Sequence, residues 1–215
     1  MSSFHELIVG FHNFKEEYLL EENEFFEALK HGQNPKTLVI ACCDSRVDPA
    51  ILMGCKPGDL FVVRNVAAIV PARDQTNESD AVMSAVEYGV KHLNVEHIVV
   101  MGHSNCGGIH GLLHPHEIAG ESYISGWLKL AAPVIAELEK EADLHHLPDK
   151  HRRCEEGAVL LSIDNLLSYE WICSKVKSGS LNLHALYYDM HEGKLNIWDA
   201  QKEDFVCSSE IAQMS

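Results

Sequence analysis

The chain has 215 residues, 46% of them hydrophobic and 23% charged, which is enough apolar material for the core of one globular domain. Its formal net charge of -15 gives a surface that repels phosphate backbones and argues against a nucleic-acid partner. We expect no secretory leader and no membrane partner, because no apolar run approaches the ~18–20 residues that cross a bilayer. The expected compartment is the reducing cytoplasm, where seven cysteines indicate metal binding or catalysis more than disulfides.

The first part of the chain predicts helices followed by two strands. Residues 3–31 carry apolar side chains three and four positions apart, a spacing typical of amphipathic helices. The run Thr37–Ala41 is apolar and β-branched, as in a buried strand. The Asp-Pro pair at 48–49 supplies the N-cap and first position of a helix, and Leu60–Arg64 follows a turn as a second strand.

The rest of the chain continues the alternation of helices and strands. Helices are predicted from Ser79 to Leu93 and around 122–142 and 150–177, and strands at His97–Met101, Leu181–Met190 and Leu195–Asp199. Apolar strands alternating with helices indicate a mostly parallel sheet covered on both faces. The last two strands are close enough in sequence to pair as a hairpin. We therefore predict an α/β fold with an antiparallel edge strand at the C-terminal end.

Two short polar clusters directly follow predicted strands. The segment CCDSR, residues 42–46, follows the first strand, and GHSNCGG, residues 102–108, follows the third. In an open parallel sheet, ligands bind outside the carboxyl ends of the strands. Side chains sixty residues apart in sequence are therefore predicted to share one site.

The residue types in these clusters predict a metal. Alternation along an extended chain places positions 42, 44 and 46 on one side and Cys43 on the other. Cys42, His103 and Cys106 then offer two thiolates and an imidazole, a donor set that favours tetrahedral Zn²⁺. Three protein ligands leave a fourth position for water or for Asp44, which is the pattern of a catalytic site. Either cluster alone is equally compatible with a buried structural cysteine or a simple turn.

Other motifs are incomplete or uninformative. Residues 102–107 have the glycine spacing of a P-loop, but Lys-Ser/Thr does not follow, and no G-x-G-x-x-G follows a strand. The P-C-x-x-C of zinc deaminases is absent. The histidine pairs 114/116 and 145/146 lie in polar stretches, and we interpret them as surface residues rather than ligands.

Over nearly its whole length the chain resembles a β-class carbonic anhydrase of the plant-type branch. The resemblance is carried by GQNPKTLVIACCDSRVDP, PGDLFVVRNVA, SAVEYGVKHL, IVVMGHSNCGG and YYDMHEGKLNIW. It implies a lyase that converts carbon dioxide reversibly to bicarbonate and a proton through zinc-bound hydroxide, with one zinc ion per chain. It also implies active sites at the interface of a homodimer or a dimer-based higher oligomer such as a tetramer. The chain would then divide into an N-terminal helical arm, 1–35, that clasps a partner and an α/β domain, 36–215.

The resemblance also implies roles for the residues of the two clusters. Cys42, His103 and Cys106 would bind zinc. Asp44 would accept a hydrogen bond from zinc-bound hydroxide, and Arg46 would hold Asp44 ionised and oriented. If released by Arg46, Asp44 would become a fourth zinc ligand and close the site; we expect the open form at neutral pH.

A further set of residues matches the substrate site of the family. Gln33 would donate a hydrogen bond to a substrate oxygen, and Gly107 would allow substrate to approach the backbone. Phe61, Val66 and Tyr88 would line a small apolar pocket for carbon dioxide. Phe61 and Val66 are equally what a buried strand would contain.

The chain departs from the family pattern at two places. Many relatives have serine where this chain has Cys43. Some members bind bicarbonate at a regulatory pocket built from a tryptophan, an arginine and a tyrosine. Arg64 and Tyr188 match two of these, but the tryptophan position falls on Val39, so we expect a constitutively open enzyme.

Three alternative functions stay open at this point. A related zinc hydrolase of carbon disulfide or carbonyl sulfide would share the metal motif. In a non-catalytic zinc protein the metal would serve folding or assembly, although such a site needs neither Asp44 nor Arg46. In a cysteine hydrolase, His103 would activate Cys106 as a nucleophile.

Overall fold

The computed structural model describes residues 3–20, 24–141, 147 and 149–212. The chain falls into two compact units, Met1–Asn34 and Pro35–Ser215. His145 and His146, interpreted above as surface residues, lie outside the described residues. No helix in the part of the chain that is described is long and apolar enough to cross a membrane.

The first unit is helical. It contains α1 (Phe4–Lys15), a π-helical stretch (Glu16–Leu20) and α2 (Glu24–Leu29). A capping box starts α1, because the Ser3 hydroxyl accepts a hydrogen bond from the Glu6 N–H while the Glu6 carboxylate accepts one from the Ser3 N–H. The apolar side chains predicted for this helix are largely exposed: Phe4 by 79%, Leu7 by 60% and Phe11 by 56%.

The second unit is built on one sheet. Its described strands are β1 (Thr37–Cys42), β2 (Leu60–Asn65), β3 (His97–His103), β4 (Asn182–Asp189), β5 (Lys194–Asp199) and β6 (Asp204–Cys207). They lie in the order β2-β1-β3-β4-β5-β6. The first four are parallel, and β5 and β6 are antiparallel. The predicted α/β class with antiparallel C-terminal strands is confirmed, but β6 was not predicted and takes the edge in place of β5.

The helices of the second unit follow the predicted alternation of helices and strands, but both long predicted helices are divided, and the helices at 107–113 and 208–212 were not predicted. They are α3 (Pro49–Leu52), α4 (Ala81–Lys91), α5 (Gly107–Leu113), α6 (Ser122–Leu128), α7 (Ala132–Glu141), α8 (Lys150–Leu167), α9 (Glu170–Lys177) and α10 (Ser208–Ala212). The predicted helix around 122–142 is divided into α6 and α7 by a 3₁₀ turn (Lys129–Ala131). The predicted helix around 150–177 is divided into α8 and α9, which are separated at Tyr169. This buried residue has an extended backbone and donates a hydrogen bond from its hydroxyl to the Pro71 carbonyl at 3.0 Å.

The central strand β1 is buried on both faces, which explains its continuous apolar run. Leu38 and Ile40 belong to a large core cluster that includes residues of α4, α8 and α9. Val39 and Ala41 pack with Met101 in a separate cluster, as expected for side chains that alternate across a strand. Burial on both faces is typical of parallel sheets between helices.

The strand order reverses next to β1. The chain passes from β1 to β2 on one side, and β3 lies on the other side of β1. In open α/β sheets the crevice at such a reversal, outside the carboxyl ends of the strands, is where ligands bind. The two polar clusters of the sequence follow the two strands, β1 and β3, that flank this crevice.

Candidate metal centre

The three predicted metal ligands meet at the crevice. Cys42 is the last residue of β1, His103 is the last of β3, and Cys106 is the N-cap of α5. All three side chains are buried, and their donor atoms lie within 4.8 Å of one another. The two sulfur atoms of Cys42 and Cys106 are 3.9 Å apart. Cys43 is exposed, as the alternation predicts.

His103 presents a lone pair that lacks a protein partner. Its Nδ1 lies 2.9 Å from the Ser104 carbonyl oxygen, so Nδ1–H donates to that carbonyl and Nε2 carries the lone pair. Within the described residues, Nε2 is buried and has no hydrogen-bond partner. An unsatisfied buried polar group costs about 1–3 kcal/mol. A metal ion between Nε2 and the two sulfur atoms would remove this cost.

The two thiols titrate as a pair. The Cys106 thiol is placed to donate a hydrogen bond to Cys42, which lowers the pKa of Cys42. The same interaction, together with burial, raises the pKa of Cys106. One proton therefore leaves the pair readily, whereas the second leaves readily only when a cation compensates the second negative charge. Two thiolates and a neutral imidazole in a buried cluster fit Zn²⁺.

An unusual turn after β2 supports the Cys42 sulfur. Ala67 and Ala68 have φ values of 66° and 54°, a left-handed conformation that costs non-glycine residues energy. In addition to Cys106 and His103, backbone N–H groups lower the pKa of Cys42: that of Asp44, which lies 3.4 Å from the sulfur, and, to a smaller extent, that of Ala67. The Asn65 side chain fixes this turn, since it accepts from the Ile69 N–H at 2.8 Å and donates to the Ile69 carbonyl at 3.0 Å. The turn with the unfavourable backbone conformation thus lies next to the metal-ligand candidate Cys42.

Asp44 is held beside the cluster by Arg46. The Arg46 Nε and Nη2 donate to the two Asp44 carboxylate oxygens at 2.9 and 2.6 Å, and Nη2 also donates to the Asn105 carbonyl at 3.1 Å. The hydrogen bonds from Arg46 keep the pKa of Asp44 well below its usual range. The Asp44 Oδ2 lies 4.0 Å from the His103 Nε2. An ionised carboxylate with both oxygens engaged by Arg46 therefore borders the open side of the ligand set.

Arg64 braces the segment that carries these residues. Its guanidinium donates to the Cys42 carbonyl at 2.9 Å, to the Asp44 carbonyl at 2.6 Å and to the Asp48 carboxylate at 2.8 Å. Val39, at the tryptophan position of the family's regulatory pocket, is buried in β1. The donors of Arg64 are thus committed to this segment.

A buried carboxylate that the sequence did not suggest supports the second cluster. Glu155, on α8, is only 4% exposed. One of its oxygens accepts from the Cys106 N–H at 3.0 Å and the other from the Tyr187 hydroxyl at 2.8 Å. Burial raises the pKa of Glu155. The sequence gives no local signal for this role, because Glu155 and Glu156 are adjacent in one polar helical stretch.

The predicted substrate residues separate into two groups. Val66 packs against the cluster of side chains that contains Cys42 and Cys106, and Gly107 follows Cys106 directly. Phe61 and Tyr88 contact each other, with ring centroids 6.0 Å apart, near the opposite end of the sheet. Because Asn65 pairs with Cys42, four residues of strand, about 13 Å, separate Phe61 from the level of the metal ligands.

Gln33 belongs to the first unit, where it is exposed. The metal ligands all lie in the second unit. Of the predicted substrate residues, the structure thus brings Val66 and Gly107 to the candidate metal centre and keeps Phe61 and Tyr88 away from it within one chain.

The fold and the site together define an α/β protein in which three buried side chains, two thiols and an imidazole, could hold a zinc ion. A family model described as carbonic anhydrase matches residues 37–195. Among curated relatives from Arabidopsis thaliana, the mitochondrial beta carbonic anhydrase 6 is 38% identical over 87% of this chain, and beta carbonic anhydrase 3 is 35% identical over 88%. The chain spans 65% of the length of the first relative, slightly less than two thirds, and 74% of the second.

Solved structures agree with these relatives. The β-carbonic anhydrase CcaA superposes with a TM-score of 0.84 at 32% identity, covering 94% of this chain and 91% of its own. A tetrameric β-carbonic anhydrase from Sordaria macrospora gives 0.79 at 30% identity, covering 90% and 95%. The chain belongs to the β-carbonic anhydrase family.

Proposed function

We propose that this chain is a carbonic anhydrase that hydrates carbon dioxide reversibly to bicarbonate and a proton, with one zinc ion held by Cys42, His103 and Cys106. The observation that carries the proposal is the unpartnered His103 Nε2, buried beside two thiols. An ionised carboxylate adjoins them. A purely structural zinc site needs no such carboxylate, and a cysteine hydrolase needs a free thiolate that a bound metal would remove.

The chemistry divides between the metal and the chain. A zinc ion held by these residues would supply a Lewis acid that lowers the pKa of a coordinated water, from about 16 in bulk water to about 7 at the three-histidine zinc site of another carbonic anhydrase class. Asp44, kept ionised by Arg46, would accept a hydrogen bond from that water and so orient it. Arg46 engages both Asp44 oxygens, and we propose that this pairing would keep Asp44 from becoming a fourth ligand and so leave the site open.

The surroundings suit a small apolar substrate. Val66 offers an apolar wall next to Cys42 and Cys106. Gly107 has open space where a side chain would stand, since a Cβ added there would meet nothing within 4 Å. Carbon dioxide can thus approach the backbone beside Cys106 while apolar side chains limit competing water.

Metal quantification combined with a three-substrate assay tests the proposal. The purified protein should contain one zinc per chain, and hydration of carbon dioxide, followed by stopped flow, should be lost with a chelator and restored by zinc. Carbon disulfide and carbonyl sulfide are assayed side by side. Turnover of these two without carbon dioxide hydration would reassign the substrate. Stoichiometric zinc with no turnover of any of the three would make the metal structural.

We further infer that the active unit is a homodimer or a dimer-based tetramer in which the arm, 1–35, clasps a partner. The exposed apolar side chains of α1 support this. So does the distance of about 13 Å along β2 between Phe61 and the level of its own metal ligands. We propose that Gln33, Phe61 and Tyr88 complete the site of the partner subunit instead.

A subunit-mixing experiment tests that inference. Cys42→Ser removes a ligand from one chain, and Tyr88→Ala removes a residue with 47% exposure from the other. If Tyr88 acts across the interface, hybrids of two inactive parents contain one fully native site and regain hydration activity. If it acts within its own chain, hybrids stay as inactive as their parents, and the shared site is refuted.

We propose the cytoplasm as the compartment. All seven cysteines are free, as suits a reducing environment. Two of the relatives are named as mitochondrial and chloroplastic proteins, so fluorescence microscopy of the tagged full-length protein is the direct test. Accumulation in an organelle would refute the proposed compartment without affecting the proposed activity.

A further inference from the structure

Three histidines form a cluster on the surface of the second unit. His110 lies on α5, His114 caps its C-terminal end, and His151 lies in the first turn of α8. One nitrogen from each lies within 4.8 Å of the others. The ring centroids of His110 and His114 are 4.3 Å apart, and each is 5.6 Å from that of His151. Residues of two helices, distant in sequence, thus present three imidazoles at one place.

Hydrogen bonds fix two of these rings in tautomers that suit metal binding. The His114 Nδ1 donates to the His110 carbonyl at 3.0 Å, which leaves a lone pair on the His114 Nε2. The His110 Nε2 donates to the Glu117 carboxylate at 3.0 Å, which leaves a lone pair on the His110 Nδ1. Histidine ligands commonly donate their other N–H to a carbonyl or a carboxylate in this way. Both kinds of outer partner are present here.

The surroundings of His151 disfavour its protonation. Burial lowers the pKa of His151, and the adjacent His110, His114 and Lys150 lower it further because a positive charge there would repel theirs. The neutral imidazole is the form that binds metal. The lowered pKa of His151 therefore favours the protonation form that a metal ion requires.

We propose that His110, His114 and His151 form a second metal site that takes a borderline divalent cation such as Zn²⁺, Cu²⁺, Ni²⁺ or Co²⁺. Imidazole suits these metals and not Mg²⁺ or Ca²⁺. Bonds of about 2.0–2.1 Å in a tetrahedral site place ligand nitrogens about 3.4 Å apart. The ligand nitrogens, which lie within 4.8 Å of one another, must therefore approach one another by up to about 1.4 Å. The exposure of 49% of the His110 side chain leaves room for such rotation.

This site has different ligands from the proposed catalytic metal site, but helix α5 carries ligands of both. The donors are nitrogens only, whereas the catalytic set contains two sulfurs. The His110 N–H donates to the Cys106 carbonyl at 2.9 Å in the first turn of α5. The same short helix therefore begins at a ligand of one site and carries two ligands of the other.

Metal titration of the holoenzyme, with its catalytic zinc in place, tests the proposal. Cobalt is titrated at pH 7.5 and followed by calorimetry and visible absorption. We expect a second equivalent per chain whose spectrum lacks the thiolate-to-cobalt charge-transfer band of a cysteine site. His114→Ala and, separately, His151→Ala should weaken that equivalent at least about tenfold, since each removes one of three ligands.

His116→Ala is the matched control. His116 is an exposed histidine beside Glu117 that is not part of the cluster. This variant should bind the second equivalent as the parent does, and all variants should keep one catalytic zinc and the parent melting temperature. Failure of the parent to bind a second cobalt at up to about 100 μM, or binding that survives both cluster substitutions undiminished, would overturn the site.

Discussion

Replacement of Glu155 should lower both the stability of the fold and the affinity for zinc, because Glu155 holds the backbone of the ligand Cys106. Glu155→Leu removes the acceptor of two buried hydrogen bonds, from the Cys106 N–H and the Tyr187 hydroxyl. Each unpaired donor costs about 1–3 kcal/mol, so the sum is about 2–6 kcal/mol. Burial of the carboxyl is itself unfavourable, as its raised pKa indicates. The loss should therefore lie in the lower half of that range, about 2–4 kcal/mol.

The isosteric variant separates hydrogen bonding from charge. In Glu155→Gln the amide oxygen can still accept from the Cys106 N–H, and the amide N–H can donate to the Tyr187 hydroxyl oxygen, since a hydroxyl both donates and accepts. We expect a loss below about 1 kcal/mol. Glu156→Gln, one residue further, is the matched control, because Glu156 bonds to Arg152 and not to the loop of Cys106.

Two measurements decide the outcome. Urea unfolding at saturating zinc gives the free energy of unfolding, and competition with a chelator gives the zinc affinity. Glu155→Leu should bind zinc about 10–100-fold more weakly, the usual effect of losing a group that supports a ligand. Stability within about 0.5 kcal/mol of the parent, together with unchanged zinc affinity, would show that Glu155 does not position Cys106.

Three other substitutions have direct readouts. Asp44→Asn should retain one zinc per chain by metal analysis while hydration falls about 100-fold or more; parent turnover would remove the assigned role of Asp44. Cys43→Ser should be nearly silent in both assays because Cys43 is exposed, and loss of zinc would contradict its orientation. Gly102→Ala should lower stability by about 1–3 kcal/mol in thermal unfolding, since its Cβ would meet the Val159 Cγ2 at 2.5 Å. Gly126→Ala, with open space around it, is the control and should be neutral or slightly stabilising; equal effects of the two would refute the packing argument.

Much of the metal site could be predicted from the sequence, because the donor residues and the strands that position them are neighbours in the chain. Donor residues that directly follow apolar strands must lie at the carboxyl edge of a parallel sheet, whatever the rest of the chain does. The side-chain period of two in an extended chain then separates Cys42 from Cys43. The same reasoning predicted β1, β3 and the α/β class, since these elements depend on composition and period alone.

Features that depend on which helix crosses which strand were decided only by the tertiary structure. Glu155 lies under Cys106 because α8 packs across β3 and β4, and nothing in its own stretch of sequence distinguishes it from Glu156. The break at Tyr169 likewise depends on a hydrogen bond to Pro71, 98 residues away. The helical spacing of apolar residues carries no information about such distant partners, so it predicted one helix over 150–177 where the structure has two.

The histidine cluster also shows which properties the sequence predicts and which only the packing of helices decides. The polar stretch around His114 predicts a surface residue, and the structure leaves that side chain only partly buried. Its neighbours are decided by the approach of α8 to the end of α5, which brings His151 beside His110 and His114. The sequence determined which donor atoms the chain possesses and which strands carry the catalytic set. The packing of helices, which local patterns do not encode, decided which of the remaining donors meet.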